Sequence, residues 1–500
     1  MTSEQRPFAQ VGGLGAVMQS LPKALNEIGN DARIMMPKYL TIEDPENNIR
    51  MHYEGLRVPT DNVDGPNDLI CNVKKYEGET EAGKPNTTYF LENMEYYEKR
   101  ANIYGYADDT VRWALLCRGA LEFLCVFDWI PDIIVSTDWT TGYLSNYLKT
   151  KYQNYRRLAK IISVFSIHNL HYQGTFKHKF VTETDYDSGQ APMPAFEDPK
   201  MKLMNGMRRG IMYADAINTV SPTYAKEILS QELGEDLEEI LGDRRGDLYG
   251  ILNGIDCESW NPATDKSIAF NYSLKDLSLR TKNKTALQAH FRLNTDPRSF
   301  LIGIVSRMSE QKGFSLLEET METLMRELNI QLVIIGEGDS RYMDFFQKLK
   351  EEFSDRIGFQ FKFDGALPRM AFAGCDAILI PSKFEPSGLT QMEAMRYGAV
   401  PIVRKTGGLA DTVSDPLLDQ KNGTGFVFEK FDSFSLAIAI VRAYENYHNQ
   451  KVWSEIQKNG MKQDFSWKKS AIKYAELFHK VKPANPSDHQ PGVPTGSPDE

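Results

Sequence analysis

Short apolar runs alternate with helix-period stretches along most of this chain. The first helical pattern covers residues 17–28, and a short strand follows at 32–36. Residues 41–100 alternate polar loops with short strands, such as 68–73 and 88–91. The pattern at 111–127 predicts a long amphipathic helix. Largely apolar runs at 131–136, 160–167 and 214–220 read as buried strands, each ending in polar residues. The stretch 185–202 is rich in Pro, Asp and Met and reads as a mobile surface loop. A turn-rich segment, YGILNGIDCESWNP at 249–262, separates this half from a second with the same alternation. Its strands fall at 300–305, 331–335, 358–363, 377–381 and 399–403, with helices between them. Further helices are predicted at 434–447 and 466–481. Residues 483–500 hold too few apolar groups to order themselves and are expected to form a disordered tail. Strand–helix alternation of this kind predicts α/β domains with parallel sheets.

Length supports two domains, since 500 residues exceed one ordinary core. An apolar share of 41% and a charged share of 25% match a soluble globular enzyme. A net charge of -10 argues against nucleic acid as a main partner. No apolar run reaches membrane-spanning length and no leader pattern is seen, so a cytoplasmic protein without a membrane partner is expected. The five cysteines (Cys71, Cys117, Cys125, Cys257, Cys375) are widely spaced and include no CxxC, which predicts neither a disulfide framework nor a zinc site.

Ligands of open parallel sheets bind beyond the carboxyl ends of the strands. Several polar groups sit there. Glu385 follows the 377–381 run, in a loop made flexible by Gly388. The turn from Thr406 through Gly407 and Gly408 to Leu409 opens a helix, and unpaired N–H groups at helix starts suit phosphate oxygens. Both should face one cleft, and a carboxylate beside a phosphate site points to a neutral group such as a sugar. Gly12 and Gly13 form a similar Gly-Gly-Leu turn near the start of the chain. Arg307 and Lys312 lie five apart after a strand and suit a diphosphate leaving group. His168 ends the 160–167 strand, where a core histidine and a functional one are equally expected. Asp138, beside Trp139, reads either as a sugar ligand or as a helix cap. Gly336-Glu337-Gly338-Asp339 is too short for a dinucleotide fingerprint, and no Walker motif, metal-ligand cluster or GxSxG elbow is present.

Nine segments in order resemble the bacterial glycogen synthase and plant starch synthase family. They are SEQRPFAQVGGLG, DWTTG, SIHNLHYQG, TVSPTYAKEI, GILNGIDCESWNP, VSRMSEQKG, PSKFEPSGLTQ, VRKTGGLADTV and DFSW, covering nearly the whole chain. The resemblance implies a GT-B glycosyltransferase: two Rossmann-like, doubly wound parallel-sheet domains facing a central cleft. On that reading residues 1–253 form the glucan-side domain, 254–262 the hinge and 263–463 the nucleotide-sugar domain. Residues 464–482 form a helix returning to the first domain. The implied reaction transfers glucose from ADP-glucose to the non-reducing end of an α-1,4-glucan such as glycogen, with retention, without a cofactor or metal. Glu385 is then the essential carboxylate near the transferred glucose, Arg307 and Lys312 bind the diphosphate, and His168 and Asp138 contact the glucose. Gly12, Gly13, Gly336, Gly388, Leu389, Thr390, Gly407 and Gly408 belong to the nucleotide-sugar side. Phe363 stands where the family has a stacking tyrosine. Glu4, Trp139, Asn169 and Tyr172 belong to the acceptor side.

This chain departs from the family pattern at three places. A lysine expected before the first Gly-Gly-Leu is Gln10, an aspartate expected after it is Ala16, and a lysine expected before the 214–220 strand is Arg208. The family's first buried strand precedes Ser3, so a shortened chain start or a missing strand in the first sheet is expected. A UDP-glucose donor, or a glucan-binding protein without turnover, stays open beside the synthase reading.

Overall fold

The computed structural model describes residues 1–44, 48–174, 185–362 and 365–482. Strands β1 (Arg33–Pro37), β2 (Arg50–Pro59), β3 (Asp68–Glu79) and β4 (Pro85–Glu92) form the first sheet, in the order β1-β4-β3-β2. β1 runs parallel to β4, while β4, β3 and β2 are antiparallel neighbours. This sheet is mixed where a parallel one was expected. The connections between β2, β3 and β4 are too short for a crossover and allow only hairpins. β2 is an edge strand exposed on both faces over its first six residues, so it carries no alternation to read.

β5 (Ile133–Thr137), β6 (Ile162–Ile167), β7 (Ala216–Thr219) and β8 (Leu248–Gly250) form a second, wholly parallel sheet. Among the described residues β1 and β5 are not paired with each other. The chain start lies between them. The Met1 amine donates to the Val135 carbonyl at 2.6 Å, and the Thr2 N–H donates to the Met35 carbonyl at 3.1 Å. Beside it lies a mostly apolar cavity of about 390 Å³, lined by Met35, Phe123, Leu124, Ile134 and Phe478 among others.

The helix Asp109–Val126 is not amphipathic as expected, because fifteen of its eighteen residues are buried. It is covered by the first sheet on one side and by the helix Tyr143–Thr150 on another. Its charged residues tolerate burial through pairing: Arg112 bonds Asp109 at 2.5 Å with both side chains inaccessible, and also reaches the Tyr96 and Ile103 carbonyls.

The second half is built on β9 (Phe300–Val305), β10 (Ile330–Ile335), β11 (Ile357–Gln360), β12 (Ala377–Ile380), β13 (Val400–Arg404) and β14 (Phe426–Phe428). All pairings are parallel, in the order β11-β10-β9-β12-β13-β14. All six residues of β9 and of β10 are buried, as an interior parallel strand with helices on both faces demands. The order reverses between β9 and β12, and the carboxyl ends of those strands flank the crevice where such sheets take ligands.

The chain crosses between halves twice at one place. The Ile255 N–H donates to the Phe465 carbonyl at 2.8 Å, and Ile255 pairs with Ser466 as a parallel bridge. The helix Trp467–Val481 then packs Ala471, Tyr474 and Leu477 against Val17, Leu21 and Leu25 of the helix Gly13–Glu27. Among the described residues no helix is long and apolar enough to cross a membrane.

Residues 185–202, expected to be mobile, are anchored instead. Met193, Phe196 and Met201 are buried, and the Asp187 carboxylate accepts from Arg209 Nε at 2.8 Å and Nη2 at 2.7 Å. The Asp187 carboxylate also takes the Gly189 and Asn205 amides. Removing one partner of a buried charge pair strands the other. Arg209→Met is therefore expected to cost about 3 kcal/mol, read as a lower urea midpoint, while surface changes such as Lys200→Met leave that midpoint unmoved.

Candidate functional site

One cavity of about 670 Å³ lies between the two halves. From the second half, its wall is built at the reversal point of the sheet. Arg307 follows β9, Lys312 ends the one-turn helix Glu310–Lys312, and Glu385 stands in the loop after β12. Lys312 Nζ donates to Glu385 Oε2 at 2.5 Å, and Ser382 Oγ donates to the same oxygen at 3.0 Å. Glu385 is only 8% exposed, so both partners offset the loss of water around its charge. The helix Thr390–Arg396 starts at the floor of this wall, with Gly388, Leu389 and Thr390 on the cavity surface.

The opposing wall comes from the ends of β5 and β6. Asp138 adopts φ 54°, a left-handed conformation that aspartate tolerates better than most residues. This turns its carboxylate back onto the next strand end, where Oδ1 accepts from the His168 N–H at 2.7 Å and the Asn169 N–H at 3.3 Å. Burial pushes the Asp138 carboxyl up to about 7, against the opposing pull of those two amides. Burial drives the His168 imidazole down to about 4, so it is neutral at neutral pH. Its Nε2 lies 3.2 Å from Ser166 Oγ.

Glu4 organises the third side. Its Oε2 accepts from the Val11 and Gly12 N–H groups at 2.7 and 3.0 Å, and its Oε1 accepts from the Tyr104 hydroxyl at 2.5 Å. Thus the first glycine turn reaches the cavity with two of its amides already satisfied by a carboxylate. Tyr172 is half exposed, and Arg307 Nη2 lies 3.4 Å from its hydroxyl, bridging the two halves.

The structure therefore brings together Glu385, Arg307, Lys312, His168 and Asp138 on one cavity. Gly12, Gly13, Gly388, Leu389 and Thr390 join them, as do Glu4, Trp139, Asn169 and Tyr172. Phe363 lies outside the described residues. Gly336, Gly407 and Gly408 are not on the cavity wall, and their reason is close packing. A Cβ on Gly407 would sit 2.0 Å from the Glu385 carbonyl oxygen, and one on Gly408 would sit 1.8 Å from that of Ser387. One on Gly336 would sit 2.0 Å from the Ser306 carbonyl oxygen. The second glycine turn thus supports the Glu385 loop from beneath, with the Gly408 N–H donating to the Glu385 carbonyl at 3.1 Å. Gln10 and Arg208 are also off the wall. Gln10 bonds Arg6 and the Gly12 carbonyl, and Arg208 lies over the Tyr186 ring.

Sequence reasoning missed Tyr104, Ser382, Asn253 and Gln391, all on this cavity. Tyr104 sits in a polar loop with no periodicity. Gln391 is hidden within a helical pattern, although its Nε2 ties Gly388 to Thr412 by donating to the Gly388 carbonyl at 2.9 Å and to Thr412 Oγ1 at 3.0 Å.

Comparison with known proteins gives two family matches: a starch synthase catalytic domain over residues 1–243 and glycosyl transferases group 1 over residues 287–460. A glycogen synthase of Thermotoga petrophila is 39% identical over 480 residues, spanning 95% of this chain and 96% of the relative. One of Clostridium novyi is 39% identical over 487 residues, spanning 96% and 98%. Among solved structures, the catalytic domain of Starch Synthase IV from Arabidopsis thaliana bound to ADP and acarbose matches with a TM-score of 0.81. It is 32% identical and covers 96% of this chain and 98% of that one. A sucrose-phosphate synthase from Thermosynechococcus elongatus, 16% identical with a TM-score of 0.56, shares the fold.

The Asp138 environment has a measurable signature. A carboxyl whose folded value is raised from 3.8 to about 7 loses stability as pH climbs through that window, and the full cost is present above it. Asp138→Asn keeps an acceptor oxygen and removes the charge. Its stability relative to the parent is expected to grow by about 2 kcal/mol between pH 5 and pH 8 in urea denaturation, while transfer activity falls.

Proposed function

The chain belongs to the glycogen synthase family of glycosyltransferases, and from that premise we propose how its cleft works. The donor is ADP-glucose, its diphosphate on Arg307 and Lys312 and its glucose between the Glu385 loop and the Asp138–His168 strand ends. The acceptor is the non-reducing end of an α-1,4-glucan, entering along Glu4, Trp139, Asn169 and Tyr172. The carrying observation is the reversal point of the second sheet, where two cations and one carboxylate converge within a single cavity. The similar starch synthase catalytic domain was solved bound to ADP and acarbose, which supports a nucleotide and a sugar chain as ligands of this chain.

Chemistry follows from this placement. The bond between the glucosyl carbon and the phosphate oxygen breaks, and a bond to the acceptor hydroxyl forms on the same face. The acceptor's proton passes to the departing diphosphate. Charge therefore develops on the diphosphate, next to the Arg307 guanidinium and the Lys312 ammonium, which offset it. Glu385 holds Lys312 at 2.5 Å before the donor arrives. Neutral His168 offers a hydrogen bond to a sugar hydroxyl without adding charge near the cationic carbon. Closure of the halves excludes water that would otherwise take the glucose.

Gln10, which removes a cation the family pattern has near the phosphates or glucose, and Ala16, which removes an acceptor-side carboxylate, favour a second reading, glucan binding without turnover. Glucose incorporation into glycogen separates the two readings. The parent is expected to incorporate glucose from ADP-glucose, and Lys312→Met to lower kcat by about 10²–10³. A parent that binds glycogen but turns over neither ADP-glucose nor UDP-glucose, and gains activity only as Gln10→Lys, would establish the second reading.

A further inference from the structure

Helix Pro222–Glu227 follows β7 in the first half, and helix Gly407–Thr412 follows β13 in the second. The two lie against each other. The Thr223 N–H donates to Asp411 Oδ2 at 2.9 Å, and the Thr223 hydroxyl donates to Asp411 Oδ1 at 2.7 Å. The Gly407 N–H donates to Glu227 Oε2 at 3.0 Å. Both carboxylates are thus spent across the boundary between halves. None of Thr223, Glu227 and Asp411 lines the cavity, so none touches a substrate there.

The helix they hold, Gly407–Thr412, touches the underside of the Glu385 loop through its two glycines. The Gly408 N–H donates to the Glu385 and Pro386 carbonyls at 3.1 and 3.2 Å. The approach leaves no slack, since a single added carbon at Gly407 or Gly408 would overlap the carbonyls of Glu385 and Ser387. Thr412, at the far end of the same helix, donates to the Gly408 carbonyl and accepts from Gln391 Nε2. A shift of helix Gly407–Thr412 therefore cannot leave the backbone of residues 385–391 in place.

We propose that Thr223, Glu227 and Asp411 form an interdomain clasp that positions the Glu385 loop for transfer. Apposing the halves makes its three hydrogen bonds, and making them seats the loop. These are positioning residues, and the proposal rests on the transfer reading above. Its physical basis is that a hydrogen bond to a carboxylate is stronger than a neutral one, and that packed backbone transmits displacement.

The experiment uses the full chain and three variants: Thr223→Val, which keeps shape and deletes the hydroxyl, Asp411→Ala, and Thr223→Ser, which restores the hydroxyl. Each is measured for kcat with ADP-glucose, for ADP affinity by calorimetry and for radius of gyration by X-ray scattering. The clasp predicts that Thr223→Val and Asp411→Ala lower kcat roughly tenfold or more, while ADP affinity stays within about twofold. It also predicts a larger radius of gyration for both and parental values for Thr223→Ser. Three results overturn it: kcat within about twofold of the parent in both variants, ADP affinity falling in step with kcat, or Thr223→Ser behaving like Thr223→Val. Should the parent transfer no glucose, the transfer reading fails by itself. The radius of gyration then decides the clasp, which an unchanged radius in Thr223→Val and Asp411→Ala overturns.

Discussion

The two halves are joined by main chain at one patch, where residues 252–255 lie beside residues 465–470. The Ile255 N–H donates to the Phe465 carbonyl, and the Ser470 hydroxyl donates to the Leu252 carbonyl at 2.7 Å. Gly254 makes the approach possible, because a Cβ there would sit 2.7 Å from the Trp467 backbone. Both crossings thereby meet at one point, a candidate pivot for any rotation of the halves. The cavity needs this constraint. Its walls are strand ends from two separate sheets, and neither half holds both cations and the Asp138–His168 pair.

Around that pivot, buried charges are held by partners from distant parts of the chain. Lys284 reaches Asp376 at 2.7 Å, the Ser299 carbonyl at 2.6 Å and the Tyr447 hydroxyl at 2.8 Å. Arg280 bonds the Gly398, Phe372 and Cys375 carbonyls. These networks tie the first helix of the second half to the elements under β12 and β13, and so stiffen the platform that carries Glu385. Each charge is costly to bury and more costly to leave unpaired, which favours one arrangement over near alternatives.

Much of this was legible in the sequence, for physical reasons that also explain the failures. A parallel strand covered on both faces must be largely apolar, and β9, β10, β12 and β13 are, with Gln331 of β10 tolerated inside because its amide is hydrogen-bonded. The ends of β5, β6, β9 and β12 mark the rim, which is why Asp138, His168, Arg307 and Glu385 are legible as site candidates in the sequence. The helix at 109–126 misled because Asp109, Arg112 and Arg118 are polar letters that pairing allows inside. Residues 185–202 misled because Asp187 reads as a loop residue until Arg209 is placed against it. Gly407 and Gly408 look like a phosphate cradle in sequence, and the close approach of the Glu385 and Ser387 carbonyls, which their lack of a side chain allows, was not legible there. Tyr104 and Ser382 act through contacts with Glu4 and Glu385 that no local pattern encodes.

Glu4 filling the amides of the first glycine turn has a consequence for traffic through the cleft. The first half presents the Glu4 and Asp138 carboxyls to the cavity, while the second presents Arg307 and Lys312 with the Glu385 carboxylate paired to Lys312. The space is thus electrically directional. A molecule with an anionic end and a hydroxyl-rich end has one favourable orientation, with its anion against the second half. The reverse entry would set negative charge against two carboxyl side chains, on a turn whose Val11 and Gly12 amides have nothing left to offer. The glycine turn thus meets an incoming molecule with Glu4 already seated on two of its amides.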